Sequence, residues 1–503
     1  MPKLKNEKKS LYLKGKKRGK NWGLSPKFYL TTSIAYVNSA PHIGFALELI
    51  QADTLARYYR QKGFNVFFLT GTDENAQKNV LAAEKEGVSL KEFLARNASR
   101  FKDLTKVLKI SNDYFIRTTN QKIHWPGVKK IWQECQKRGD IYKKKYQGLY
   151  CVGCEAFLTK KDLVDGKCPY HQKEPEEIVE ENYFFRLSKY QKDLIKIIKE
   201  DKIQIIPKER KNEILNFIES NLEDLSISRP AERLKGIGIP VPGDKSQKIY
   251  VWFDALSNYI SAIGYGRDEK NFRKFWPADI HLIGKDILKF HAVYWPAFLL
   301  SARLPLPKRI VVHGFITVKG EKMSKSLGNV IDPFELVEKY NVDPVRYYFL
   351  RETSPFEDID FTFEKFQNRY NSDLVKDLGN LVNRVITLAS NNKVRLTKKE
   401  IKNKEIKTNI RETQKEVEIS MNSFKFNEAL ISIWKLVYFA NNYIDKEKPW
   451  QKTKDQKEKI ENLLFILKEI SKLLIPFLPE TSKKIENQVK NLEKEILFPK
   501  IEN

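Results

Sequence analysis

Cysteine is scarce in this chain, with four residues among 503, far too few to staple a fold of this length with disulfides. Long apolar runs are missing too: no stretch approaches the ~20 consecutive apolar residues of a membrane-spanning helix. The lysine-rich segment from Met1 to Lys20 has no apolar core, which excludes a secretory signal, and it reads as a disordered basic tail. Acidic side chains are in deficit, 64 Asp and Glu against 91 Lys and Arg, for a formal net charge of +27. Such a surface draws in a polyanion and makes its binding salt-dependent. An anionic membrane is the rival partner, and the missing apolar runs speak against it. Glycine disappears after Gly379, and no proline intervenes between Pro355 and Pro449. Between Gly379 and Pro449 the chain therefore has neither of the two strongest chain-breakers.

What is present there is helical spacing. Leu374, Leu378, Leu381, Val385 and Leu388 recur at three or four, as do apolar positions from Ala429 to Phe439 and from Leu463 to Leu474. A helical bundle is expected from about Phe366 to the end. Upstream the pattern changes. Phe28 to Ile34 predicts a buried parallel strand, Ala46 to Lys62 a helix with Leu47, Ile50, Leu55 and Tyr58 on one face, and Gly63 its end. Val66 to Leu69 predicts a second strand running into Gly71-Thr72-Asp73-Glu74. Strand, helix, strand is the unit of a doubly wound sheet, whose ligands bind at the carboxyl ends of the strands. Tyr36, His42 and Asp73 are thus expected in one cleft. Turns, charges and cysteines interrupt the pattern from about Tyr142 to Lys235, which marks an insertion. The pattern resumes with Ile249 to Phe253, Ile280 to Ile283, the helix Ile287 to Leu300 and a last buried strand, Arg309 to Val312, leading to His313-Gly314.

The insertion holds Cys151-x2-Cys154, followed after 13 residues by Cys168-x2-His171. Ligands two apart put both donors on one tight turn, and two such turns supply the tetrahedral soft set that Zn2+ prefers. Four protein ligands leave no position for water, so the metal expected is one structural Zn2+ per chain. Buried cysteines or disulfides are the alternative, disfavoured because a histidine completes the set and Cys135 stands apart. Thiols kept for a metal fit a reducing cytoplasm.

Two distant stretches carry the remaining chemistry. Gly320-Glu-Lys-Met-Ser-Lys-Ser-Leu-Gly-Asn329 sets Lys322 and Lys325 three apart among small residues, a phosphate clamp by composition. A solvated lysine loop is the bland alternative. Pro41-His42-Ile43-Gly44 opens the first long helix, where His42 can donate to a phosphate oxygen and Gly44 lets a substrate approach the positive helix end. Together these stretches resemble the paired signature motifs of the class I aminoacyl-tRNA synthetases, and nearly the whole chain resembles the methionyl-tRNA synthetase family.

That resemblance implies attack of the methionine carboxylate on the α-phosphorus of ATP, then transfer of the aminoacyl group to the 3′ end of methionine tRNA, initiator and elongator. It implies His42, Lys322 and Lys325 as the groups that meet the phosphates, with Mg2+ arriving on the nucleotide. Gly44, Phe45, Glu48, Gly284, Asp286, His313 and Ile316 fall where the family contacts ATP. Ile34, Tyr36, Asp73, Val251, Trp252, Ala255, Tyr259, Ile287 and His291 fall at the methionine pocket, with Asp73 on the ammonium. Thr387, Asn391, Pro449 and Trp450 fall on the anticodon-binding bundle, where Trp450 offers a stacking face. A zinc knuckle also belongs to the family. The expected fold class is α/β, a doubly wound parallel nucleotide-binding sheet with a zinc-bearing insertion, followed by an all-α helical bundle. The halves of the catalytic domain would be 26–141 and 236–305, with the tail at 1–20, the insertion at 142–235, a stem-contact region with the lysine loop at 306–365 and the bundle at 366–503. No domain of the kind that dimerises some relatives follows the bundle, so a monomer is expected.

The family pattern is broken at one place. Phe45 stands where a second histidine is usual, Asn75-Ala76 replaces His-Gly, and Ser33 and Ala35 replace proline and tyrosine. Either Asn75 or a neighbour takes over the imidazole contact, or the site has decayed to a tRNA-binding module. The intact lysine motif, Asp73, Trp252 and zinc ligands favour activity. Another nucleotidyl transferase with the same two motifs is a third reading, disfavoured by the anticodon-type bundle.

Overall fold

The computed structural model describes residues 25–152, 156–158, 162–169, 172–220, 222–323, 329–397 and 400–501. The basic segment 1–20 lies outside them. Six parallel strands form the central sheet: β1 (Lys27–Tyr36), β2 (Asn65–Asp73), β3 (Tyr114–Arg117), β4 (Gln204–Ile206), β5 (Ile280–Gly284) and β6 (Arg309–His313). Their spatial order is β3-β2-β1-β5-β6-β4. The chain winds outward from β1 in one direction, then crosses to build β5 and β6 on the other side. The switch between β1 and β5 is where the crossover helices part and leave a crevice at the strand ends.

Helix α1 (Ile43–Gln61) connects β1 to β2, and α2 (Gln77–Glu86) and α3 (Leu90–Val107) lead from β2 towards β3. Three sequence expectations need correcting. Gln204–Ile206 lies within the stretch read as an insertion yet pairs with β6 in the main sheet; three residues are too short to carry a strand signal. Val251–Leu256 is a helix and no strand. The expected helix from Ile287 to Leu300 starts with a single turn and contains a π-helical segment, Phe290–Tyr294, before Trp295–Ser301. Elsewhere the insertion contains a four-stranded antiparallel sheet built on the long pair Ile141–Cys151 and Glu176–Phe185, and the helices Gln191–Lys199 and Lys208–Glu219 on either side of β4.

Beyond the sheet, α4 (Val342–Arg351) packs on α1 and leads to the bundle α5 (Asn380–Asn391), α6 (Lys404–Asn422), α7 (Phe426–Glu447), α8 (Gln456–Leu474) and α9 (Pro479–Asn491). One apolar core runs unbroken from Leu47 and Leu55 on α1, through Tyr347 and Phe366, to Leu381, Trp434 and Leu463. No helix among the described residues is long and apolar enough to cross a membrane.

Arg346 is the polar pin of that junction. It is wholly buried, 2.8 Å from Asp53 of α1, and donates to the carbonyls of Phe477 (2.8 Å), Pro476 (3.1 Å) and Leu108 (3.3 Å). Burial alone would raise the Asp53 pKa, but Arg346, Arg57 and the Ser111 hydroxyl outweigh it and hold the carboxyl below its usual range. Burial pulls the Arg346 guanidinium below its own usual value, with Asp53 opposing. Removing one member of such a pair strands the other without solvent, a cost of roughly 3–5 kcal/mol. Arg346→Met should therefore lower the unfolding free energy by about that amount in urea titrations at pH 7. Because the folded Asp53 pKa is depressed, the stabilisation is present above about pH 3.9 and fades as pH falls through the lower folded value. A loss under about 1 kcal/mol, the range of an exposed pair, would contradict this role.

Candidate active site

A cavity of about 630 Å3 opens at the carboxyl ends of β1, β2, β5 and β6. Its lining includes His42, Gly44, Phe45, Glu48, Gly284, Asp286, His313 and Ile316, the residues expected to contact ATP, and Ile34, Tyr36, Asp73, Trp252, Ala255, Tyr259, Ile287 and His291, expected at the methionine pocket. Val251, expected here, does not line it. The helical spacing of Val251–Leu256 turns Trp252, Ala255 and Leu256 to the cavity and leaves Val251 in the core.

His42 caps α1, its Nδ1 accepting the Gly44 N–H at 3.0 Å. With Nδ1 an acceptor, the neutral ring carries its proton on Nε2. A side chain at Gly44 would bring its Cβ within 2.8 Å of the imidazole, so only glycine lets this cap close. The lysine loop brackets the same corner. Met323 lines the cavity, its Cε 3.7 Å from where a Gly44 Cβ would stand, and the Ile43 N–H donates to the Ile331 carbonyl at 3.4 Å. The backbone of Lys322 pairs with Thr317 in a small hairpin beside the cavity. The Lys322 side chain and Lys325 lie outside the described residues.

Glu48 anchors the first of these two groups. A register shift in the β1–β2 pairing between Thr31 and Ile34 re-aims Ser33, whose N–H and hydroxyl both donate to Glu48, at 2.7 and 2.6 Å. The proline usual in the family could supply neither donor. On its other oxygen Glu48 accepts from His313 Nε2 at 2.9 Å, while His313 Nδ1 donates to the Gly314 carbonyl at 2.7 Å. Burial favours the neutral ring, but the bond to Glu48 and its charge outweigh burial and raise the His313 pKa. Two donating nitrogens are those of an imidazolium.

The other group is rich in aromatic rings. Trp252 stacks on Phe290 with centroids 3.6 Å apart and meets Tyr36 edge-on at 6.3 Å. Tyr259 donates its hydroxyl to His291 Nε2 at 2.7 Å, and His291 Nδ1 donates to the Ile287 carbonyl at 2.9 Å. Burial depresses the His291 pKa to about 4, so this ring is neutral at physiological pH and adds no cation to a slot walled by aromatic rings.

The departures from the family pattern have separate fates. Phe45 packs edge-on against Phe101 of α3 at 5.2 Å, so an aromatic pair fills the space beside it. Asn75 does not replace an imidazole at the cavity. It is turned inward and donates to Asp254 at 2.7 Å and to the Thr118 carbonyl at 3.3 Å. Asp254 in turn binds His124 Nε2 at 2.5 Å, and His124 Nδ1 meets Ser261 at 2.7 Å. Glu74 is equally structural, accepting from Arg117, Thr72 and Thr119.

Sequence reading missed several wall residues: Lys78 of α2, Phe101, Met323, Lys285, and Glu213 and Phe217 from helix Lys208–Glu219. A lysine in the first turn of α2, where an acid is favoured, is the one signal that could have been noticed. In the knuckle, Cys151 and Cys168 are buried together around Leu158, and Leu158, Asp162 and Pro169 overhang the cavity. Cys154 and His171 lie outside the described residues.

In the bundle, α5 and α7 run parallel: Asn441 donates to the Asp377 carbonyl at 3.5 Å and Arg384 pairs with Asp445 at 2.5 Å. Both helices thus end at one tip, which carries the half-buried Thr387, the exposed Asn391 and, after Lys448, the buried Pro449 and exposed Trp450.

The His313–Glu48 pair makes a pH prediction. A raised folded pKa means that its stabilisation is full below about pH 6.5 and is lost as pH rises through the folded value. Glu48→Gln should lower Tm most below pH 6.5, with the deficit shrinking on the alkaline side. A deficit that grows with pH would contradict an imidazolium partner.

Comparison with known proteins accords with this geometry. A model of tRNA synthetases class I (M) matches residues 28–179 and 171–386, and one of the anticodon-binding domain of tRNA ligases matches 403–501. The methionine–tRNA ligase of Caldanaerobacter subterraneus subsp. tengcongensis is 44% identical over 473 residues, covering 92% of this chain and 74% of the relative. That of Brucella suis is 43% identical, covering 91% of each. The solved Mycobacterium tuberculosis methionyl-tRNA synthetase in complex with methionyl-adenylate superposes with a TM-score of 0.88 at 35% identity, covering 94% of this chain and 100% of that one. The chain therefore belongs to the methionyl-tRNA synthetases of class I.

Proposed function

We propose that this protein activates L-methionine with ATP to methionyl-adenylate and transfers the methionyl group to the 3′ end of methionine tRNA. One observation carries the reading: both anchors of the lysine loop, Met323 and Ile331, sit at the His42–Gly44 corner. Lys325 is two residues from Met323, and two residues span at most about 7 Å, which keeps position 325 close enough to that corner for a lysine there to serve the triphosphate. Nothing in the site supports a decayed module. His42, Glu48 and His313 are each hydrogen-bonded, and Ser33, Phe45 and Asn75 each have a partner.

In the reaction a methionine carboxylate oxygen forms a bond to the α-phosphorus of ATP as the bond to pyrophosphate breaks. Two anions must meet, so fixed donors and cations have to neutralise them. His42 Nε2 and the α1 N-terminus would meet the phosphates, Lys322 and Lys325 the β- and γ-groups, and Mg2+ would enter with ATP. Glu48, Gly284, Asp286, His313 and Ile316 would seat the nucleoside. Trp252, Ala255, Tyr259, Ile287 and His291 would enclose the thioether, which is apolar and polarisable. The structural zinc would be held by Cys151, Cys154, Cys168 and His171, a reading supported by the burial of Cys151 and Cys168 around one residue.

The deciding assay is methionine-dependent ATP–pyrophosphate exchange by the purified protein, which should be active, with Lys325→Ala lowering it by ~100-fold or more and hardly altering methionine affinity. Absent exchange with tRNA binding intact would overturn the reading. For the bundle, Trp450→Ala should raise the tRNA KM by roughly tenfold, the effect of losing one stacked base. An unmoved tRNA KM would remove Trp450 from the interface.

A further inference from the structure

Lys78 is the wall residue to which nothing above gives a task. It belongs to the first turn of α2, and its Nζ lies 3.3 Å from the centroid of the Tyr36 ring. In the β1–β2 ladder Tyr36 is the direct register partner of Asp73, and adjacent strands are only about 4.8 Å apart. A carboxylate, a phenol ring and an ammonium thus stand side by side, and all three line the cavity. Asn79 donates to the Asp73 backbone carbonyl at 3.2 Å, which ties the first turn of α2 to the end of β2 and sets the spacing of the two charges. Beyond Tyr36 the wall becomes apolar through Trp252 and Phe290.

We propose that Asp73 and Lys78 clamp the two charged ends of an amino acid, with Lys78 holding its carboxylate. This rests on reading the cleft as an amino-acid-activating site. One wall with an acid and a base at one end and aromatic rings at the other is complementary to a zwitterion with an apolar side chain. The placement of Lys78 argues the same way. The first turn of α2 contains no acid, and its N-cap Ala76 makes no side-chain cap bond. A carboxylate bound there would meet the ammonium and the positive helix end together.

In the chemical step one carboxylate oxygen forms the bond to phosphorus, pyrophosphate leaves with the P–O electron pair, and Lys78 keeps its proton while bonded to the other oxygen. Its effect is to lower the repulsion between carboxylate and triphosphate. A lysine that only packs on Tyr36 would not distinguish ligands with and without a carboxylate.

Calorimetric binding of L-methionine and of L-methioninol, which lacks the carboxylate but keeps the ammonium and thioether, separates these cases. Lys78→Gln should weaken methionine about ten- to hundredfold, the range of a hydrogen bond between charged groups, and leave methioninol unchanged. Lys78→Arg should recover part of the loss, and Asp73→Asn should weaken both ligands. Equal weakening of both by Lys78→Gln, or of neither, overturns the proposal. Wild-type protein that binds neither ligand overturns the amino-acid reading of the cleft itself.

Discussion

The site is built around an electrostatic difficulty: a carboxylate and a triphosphate have to approach within bonding distance in a cleft that already holds Glu48 and Asp73. The fold meets it by collecting positive potential from several directions. The positive end of α1 stands at the cavity behind its His42 cap, His42 keeps Nε2 as its donor because Nδ1 is taken by Gly44, and the raised pKa of His313 offsets the Glu48 charge. His313 cannot relax away, because its second nitrogen is held by the Gly314 carbonyl. Preorganisation of that kind stabilises developing charge without reorganisation at the moment of reaction.

The same logic accounts for the architecture behind the wall. A parallel sheet whose strand order reverses between β1 and β5 delivers Tyr36, Asp73, Gly284 and His313 to one rim. The hairpin after β6 returns the lysine loop to that rim, and α4 then enters the bundle through the Arg346–Asp53 pin. Since α1 supplies both Asp53 and the His42 corner, the pin that joins bundle to sheet is on the helix whose capped end lines the cavity. Orientation of the tRNA-facing bundle and of the nucleotide site therefore share one rigid element.

Much of this was readable from residue order. Hydrophobic runs marked β1, β2, β5 and β6, because strands buried on both faces are continuously apolar. The two signature stretches marked the rim because their residue types have few other uses at that spacing. What escaped was decided by tertiary context. β4 is too short for periodicity, Val251 points away because a helix replaces the expected strand, and Lys78 meets Tyr36 only once α2 folds back. The departures were legible as changes but not as consequences. Ser33 supplies two donors that proline lacks, Phe45 finds Phe101, and Asn75 joins a buried network with Asp254 and His124. Each depends on a partner at least 15 residues away, the nearest being Glu48 opposite Ser33.

The central claim is that His42 and the loop lysines act on one triphosphate although nearly three hundred residues separate them. A double-mutant cycle on the single-turnover rate of adenylate formation, with His42→Ala, Lys325→Ala and the pair, measures that directly. Residues acting on a shared partner should couple by roughly 0.5–3 kcal/mol. Strict additivity, within about 0.3 kcal/mol, would show that the two groups act independently and would contradict the account.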